Sequence, residues 1–226
     1  MLLDGFVAAR VLGDVLFGFG TLFAIINPYG LAFVFLDRTI GLNQADRAKL
    51  ARRIALNAFA VLIVSLFFGS AILGFFGISL PALRLAGGLV VAVAGWNMLN
   101  AELQPPDRAA AGPGSFDHAR RTAFFPLTIP LTTGPGSIAA AIALGAGRQG
   151  DLPDLLLASV ASVIVAVLIA LTIWHAYGRA GGMARLLGAE GTLVITRLSA
   201  FLLLCVGAEI MLTGASDWLR PMLALR

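Results

Sequence analysis

Two short segments hold the residues with the clearest chemical potential. Asn27-Pro28-Tyr29-Gly30 and Thr132-Thr133-Gly134-Pro135-Gly136 each place a proline beside or near a glycine inside a long apolar run. A proline there removes one backbone N–H, and its ring clashes with the carbonyl one turn back. Glycine opens conformations closed to other residues. A helix kinks or opens at such a point and releases carbonyl and N–H groups. A half-helix N-terminus carries roughly +0.5 of a charge and receives a carboxylate, while released carbonyls receive an ammonium. Two such breaks facing each other make a site for a zwitterion, with Asn27, Thr132 and Thr133 as its polar side chains. One Pro-Gly pair alone reads more readily as a bend. Two pairs at matched positions reverse that preference.

Ionisable residues inside apolar runs are the second set, because their cost must be offset by a partner. Arg84 and Arg197 each enter a run a few residues after its start. Gating at opposite ends of a pathway and snorkelling toward the headgroups stand as equal readings. Glu209 lies deeper; Arg84 is its expected partner, and a coupling proton is the alternative. Asp14 and Asp217 at run ends are expected to be solvated, and Asn97 and His175 to bond locally. Reaction chemistry finds no such foothold. The chain carries no Gly-Lys-Ser/Thr nucleotide loop, no two-histidine metal spacing and no Ser/His/Asp set in a common aqueous cleft. The reading is therefore of no enzyme, no cofactor and no metal. Cys205 is the single cysteine, which excludes an internal disulfide and electron transfer by disulfide exchange.

The elements that must position these residues follow from composition. The 226 residues are 59% hydrophobic and 12% charged, with a mean hydropathy of +0.92. A soluble domain carries about 25% charged residues, so this chain cannot cover itself with polar surface. A crossing helix needs about 20 apolar residues. Runs of that length extend over Asp14 to Leu36, Ile54 to Gly77, Leu80 to Leu99, Thr122 to Gly145, Leu155 to Tyr177 and Thr192 to Leu212. Runs this continuous lack the alternation of a β-barrel, and bare backbone is not tolerated in lipid, so helices are expected. Met1 to Arg10 does not read as a cleaved signal peptide. Gln104 to His118 is a Pro/Gly-rich polar loop, and Gly41 to Asp46 a turn leading into a basic cap.

Ten Lys and Arg residues fall in the loops after runs one, three and five (Arg38, Arg47, Lys49, Arg52, Arg53, Arg108, Arg120, Arg121, Arg179, Arg185), against four on the other face. The positive-inside rule then puts both termini outside. The net charge of +4 is thus read as loop arginine and not as a nucleic-acid surface. At an offset of 113, Arg84 falls on Arg197, Leu85 on Leu198, Val93 on Val206 and Met98 on Met211. The two Pro/Gly segments match as well. Three spans per half is an odd number, so the second half must be inverted. The expected architecture is one all-α membrane domain over 1–226: repeat one about 14–99, a loop about 100–121 and repeat two about 122–212, with helices one and four broken. Inverted repeats with matched Gly/Pro interruptions point to a secondary transporter with its site at the bilayer midplane.

Asn27-Pro28-Tyr29-Gly30 and Pro130-Leu131-Thr132-Thr133-Gly134-Pro135-Gly136 resemble the paired motifs of the MarC family, and the resemblance extends over nearly the whole chain. The second motif is the specific one, and Tyr29 stands at the variable position of the first. The family includes carriers of small neutral amino acids, the SnatA members, and is grouped with LysE-type exporters. The resemblance implies a multi-pass protein of a bacterial or archaeal inner membrane that exports or exchanges small neutral amino acids. Substrate contact is then expected at Asn27, Pro28, Tyr29, Gly30, Thr132, Thr133, Gly134, Pro135 and Gly136, with the lipid bilayer as the other partner. A passive channel or a non-transporting scaffold is the alternative.

Overall fold

The structure, a computed structural model, describes residues 2–39, 41–100, 123–146 and 151–223. All regular structure among them is helical: α1 (Leu2–Ile26), α2 (Pro28–Asp37), α3 (Gln44–Phe75), α4 (Leu80–Asn100), α5 (Ala123–Thr132), α6 (Pro135–Ala146) and α7 (Leu152–Leu223). Gly188, with φ +70°, bends α7 into two arms, 152–188 and 190–220. Five stretches are long and apolar enough to cross a membrane: Val7–Leu36, which joins α1 to α2, Gln44–Phe75, Leu80–Asn100, Leu152–Gly188 and Glu190–Arg220.

The fourth expected run, Thr122 to Gly145, breaks before Pro135 and departs from the α-helix ahead of that break as well. It forms as α5, a stretch of wide π-type turns, followed by the twelve-residue α6. The cause is local. Phe125 (φ −127°, ψ 125°) and Ile129 (φ −113°, ψ 126°) leave the helical region, and each directly precedes a proline, Pro126 and Pro130. Proline Cδ crowds the preceding residue and drives it to extended torsions. Pro135 then starts α6, where its missing N–H costs nothing.

Two helices also run further than their apolar cores. α3 starts at Gln44, where the Asn43 side chain accepts the Asp46 N–H at 2.8 Å, and the first arm of α7 continues past Tyr177 to Gly188. Arg47, Lys49, Arg52, Arg53, Arg179 and Arg185 therefore ride on helix ends and not on loops. Lys, Arg and Gln are good helix formers, so nothing stops these helices at the hydrocarbon boundary. Gly77, at φ +67°, closes α3 with Ile78 N–H on the Leu73 carbonyl at 2.9 Å, a left-handed glycine cap. The expected loop Gln104 to His118, and Arg108, Arg120, Arg121, Arg148 and Arg226 with it, lies outside the described residues.

Apolar side chains cannot drive association in lipid, so close backbone approach must do so. α4 and the second arm of α7 run antiparallel along such a seam. Arg84 and Leu85 lie against Gly214, Gly88 against Gly207 and Met211, and Gly95 against Leu204 and Ala200. Leu50, Ile54 and Leu62 of α3 and Ile169, Ile173 and Tyr177 of α7 form a buried core with Leu22, Ile26 and Phe35. Leu56, Phe68, Val163, Leu202 and Leu212 face outward, as lipid requires.

Candidate functional site between two helix breaks

The first break is held by Asn27. Its backbone sits in the left-handed region at φ 45°, ψ 61°, a conformation that costs most side chains about 1–3 kcal/mol and that Asn tolerates better than most. It still closes the turn on both sides: its N–H reaches the Phe23 carbonyl at 2.8 Å, and its carbonyl accepts Leu31 N–H at 3.0 Å. The side-chain oxygen caps α2 by accepting Gly30 N–H at 3.3 Å. Gly30 has no room for a side chain, since a Cβ would lie 2.5 Å from both Asn27 Nδ2 and Ser199 Oγ. Replacing Asn27 by Val is expected to cost about 1–3 kcal/mol through strain. Asn27→Gly is expected to lose a few tenths of that scale through the missing cap. Melting temperatures of the two purified variants check the ordering.

The second break is held by threonines. Thr128, Thr132 and Thr133 are buried, and each hydroxyl donates to the carbonyl five residues back: Ala123 at 2.7 Å, Leu127 at 2.7 Å and Thr128 at 3.2 Å. These bonds supplement a ladder that wide turns and prolines leave short of donors. Asn57 Nδ2 reaches Thr128 Oγ1 at 3.3 Å from α3. Thr132 Oγ1 also shares a 2.9 Å hydrogen bond with Tyr177 Oη, whose ring stacks on Phe35 with centroids 4.7 Å apart. Phe35 belongs to α2, so Tyr177 connects the element after one break to the element before the other.

Both breaks border one cavity of about 280 Å³. Ile25, Ile26, Leu31 and Arg38 line it from the first half, and Leu131, Thr132, Gly134, Pro135 and Ser137 from the second. Val90, Val91, Ala94 and Met98 of α4 and Leu203 of α7 complete the wall. Pro135 has no N–H to return to the carbonyl of Leu131, and the N-terminus of α6 opens on the same space.

Of the residues expected at the site, Thr132, Gly134 and Pro135 line this cavity. Asn27, Pro28, Gly30, Thr133 and Gly136 build the breaks behind it. A Cβ on Gly136 would strike Val91, and one on Gly87 would lie 3.0 Å from the Pro135 carbonyl oxygen. Tyr29 turns away from the cavity and meets His175, Oη to Nδ1 at 3.2 Å, so His175 bonds across helices and not locally. Arg84 pairs with Asp217, not with Glu209. The expectation failed because the antiparallel seam brings the far end of α7 to the start of α4, and Asp217 is thereby part-buried in an ion pair. Glu209 is exposed on the outer side of that arm, and Arg197 is half-buried. Arg10 and Asp154 form a further ion pair at 2.6 Å, joining α1 to the start of α7.

Sequence reasoning missed Tyr177, Asp217, Arg38, Ser137 and the α4 wall. Tyr177 carried a usable signal, being one of only two tyrosines and the residue that closes the fifth apolar run, where a buried phenol must find a partner.

Helical crossings, a proline break in each half and a shared cavity define the class: a multi-pass helical integral membrane protein with a small internal cavity. The description MarC family integral membrane protein matches residues 14–219. The inner membrane protein MarC of Salmonella paratyphi B is 32% identical over 206 residues, 88% of this chain and 93% of that protein. The inner membrane protein MarC of Citrobacter koseri is 31% identical over 206 residues, with the same coverage. That of Escherichia coli O139:H28 is 32% identical over 202 residues, 87% and 91% of the two chains. No solved structure matches. The chain belongs to the MarC family and is a multi-pass inner-membrane protein.

Proposed function

We propose that the protein is a secondary transporter of small neutral amino acids, working by alternating access between two inverted three-helix halves. The observation that carries this reading is reciprocal docking. The first break packs through Gly30 on Ser199 in the last helix of the second half. The second break packs through Pro135 and Gly136 on Gly87 and Val91 in the last helix of the first half. The same exchange recurs between outer helices: Gly18 of α1 meets Val165 of α7, and Gly69 of α3 meets Ile142 of α6. A pseudo-twofold axis in the membrane plane relates such contacts, with α5 and α6 together making the fourth of six crossings.

The cavity's chemistry selects the ligand. Its 280 Å³ lies at the small end of ligand pockets, and its walls are mostly aliphatic. An ion with net charge is costly in such a space. A zwitterion is accommodated because its carboxylate meets the positive end of α6 and the Ser137 and Thr132 hydroxyls, while its ammonium meets the Leu131 carbonyl freed by Pro135. Arg38 and Met98 line the cavity from the C-terminal ends of α2 and α4, which the positive-inside rule places inward. No ATP-binding loop is present, so transport runs on a gradient or by exchange.

Thermal shift with a panel of amino acids tests the reading. At 100 times its Kd, a native-state ligand adds about 2.7 kcal/mol, or about 5–10 °C in melting temperature at this chain length. Gly, Ala, Ser or Thr is expected to give a saturating shift that Thr132→Val removes. Folded protein that responds to no member of the panel, or unsaturable flux in proteoliposomes, overturns the proposal.

A further inference from the structure

The arginine-rich face holds a second cavity, separate from the space between the breaks. It measures about 950 Å³ and lies among the end of α2, the start of α3 and the bend of α7, with Arg47, Arg179 and Arg185 lining it together with Gln44 and Thr192. No Asp or Glu is among the described residues of its wall. Arg47 is fixed in place: its Nε donates to Thr39 Oγ1 at 3.1 Å, and its Nη2 to the Thr39 and Leu42 carbonyls at 3.0 and 3.1 Å. Its Nη1 is left pointing toward Gly181, where a Cβ would lie 3.4 Å away. Among the described residues Arg185 spends only Nε, on the Gly181 carbonyl at 3.3 Å. Arg179 has no hydrogen bond or ion pair among the described residues. Three cations thus share one concavity with most of their donors unspent among the described residues.

A guanidinium is planar and matches two oxygens of a phosphate at once. The position on the fold narrows the source of that phosphate. Further along the same seam between α3 and α7 runs an apolar groove of about 500 Å³, lined by Ala55, Leu56, Phe59, Val167, Leu171 and Trp174, with Arg52 at its rim. Trp and Arg gather at the headgroup level of a bilayer, and basic recesses between membrane helices on the cytoplasmic side suit anionic headgroups. We propose that Arg47, Arg179 and Arg185 bind the phosphodiester of an anionic glycerophospholipid, with an acyl chain along the α3–α7 groove. The site belongs to the membrane-facing scaffold and stands whether or not the central cavity carries amino acids.

The test uses the full chain, purified in uncharged detergent and stripped of lipid. Phosphatidylglycerol, phosphatidylcholine and inorganic phosphate are added separately, and melting temperature and retained lipid are measured, the latter by native mass spectrometry. Phosphatidylglycerol is expected to raise the melting temperature and remain bound, and phosphatidylcholine to do neither. Arg179→Gln with Arg185→Gln is expected to weaken phosphatidylglycerol binding about 30-fold, at about fivefold per lost cation, while Arg179→Lys with Arg185→Lys, which keeps the charge but loses the planar fork, is expected to weaken it less. High salt must weaken binding to the unaltered protein too, which preserves the test if the glutamine variant fails to fold. Equal stabilisation by phosphatidylcholine, undiminished binding by the folded glutamine variant, or no effect of salt overturns the proposal. A full shift from inorganic phosphate alone makes this a free-anion site and overturns the lipid assignment.

Discussion

Ala94→Trp is expected to abolish amino-acid binding while leaving the fold intact. Ala94 lines the cavity between the two breaks, yet its side of α4 is exposed, so an indole meets empty space and not packed core. The added ring takes a large share of 280 Å³, and a ligand of a few heavy atoms cannot share what remains. Loss of at least 100-fold in affinity is expected, about 2.7 kcal/mol, read as disappearance of the ligand-induced rise in melting temperature. Without ligand the variant should melt within a few degrees of the parent. Ala86→Trp, on the same helix but outside the cavity wall, should bind normally. An Ala94→Trp protein that still binds with parental affinity would place the ligand elsewhere.

Gly207→Leu is expected to give the largest loss of stability. A side chain at Gly207 would run into the Ala92 backbone nitrogen, with the Ala92 Cα at 2.7 Å and the Gly88 carbonyl oxygen at 2.8 Å. Those are main-chain atoms of a facing helix and cannot swing aside. The only relief is separation of α4 from the second arm of α7, which also strips van der Waals contact from Gly88, Gly95 and Gly214. Overpacking of this kind costs about 3 kcal/mol or more, equivalent to about 6–12 °C in melting temperature. Gly74→Leu is the control: nothing lies within 4 Å of a Cβ there, so its melting temperature should stay within about 2 °C of the parent. Equal melting of both variants would show that the seam contributes nothing to stability.

The same two positions show what kind of information each level holds. That residues 80–100 and 192–212 are lipid-crossing helices is written in their composition, because burial in hydrocarbon is demanded residue by residue. That Gly207 touches Ala92 is not, because it depends on how two helices more than a hundred residues apart are rotated and staggered. One residue of slip turns a helical face by about 100°. Proline acts locally as well. Pro28 and Pro135 mark both breaks, and Pro126 and Pro130 account for the extended torsions of the residues before them. The fourth run was expected to break at Pro135, and the extended torsions further upstream, before Pro126 and Pro130, were not foreseen.

The sequence by itself therefore determined the helical membrane class, the two break points, the arginine-rich face and the family, all set by local chemistry or by hydropathy summed over a run. Only the tertiary structure decided which side chains of each break look into the cavity. Thr132 lines it, Thr133 turns to its own backbone, and Tyr29 turns outward to His175. It also decided that Arg84 answers Asp217, and that Tyr177 fastens Thr132 from a helix 45 residues away. Those choices rest on helix rotation and antiparallel register, which are fixed by contacts between distant glycines and the backbones facing them.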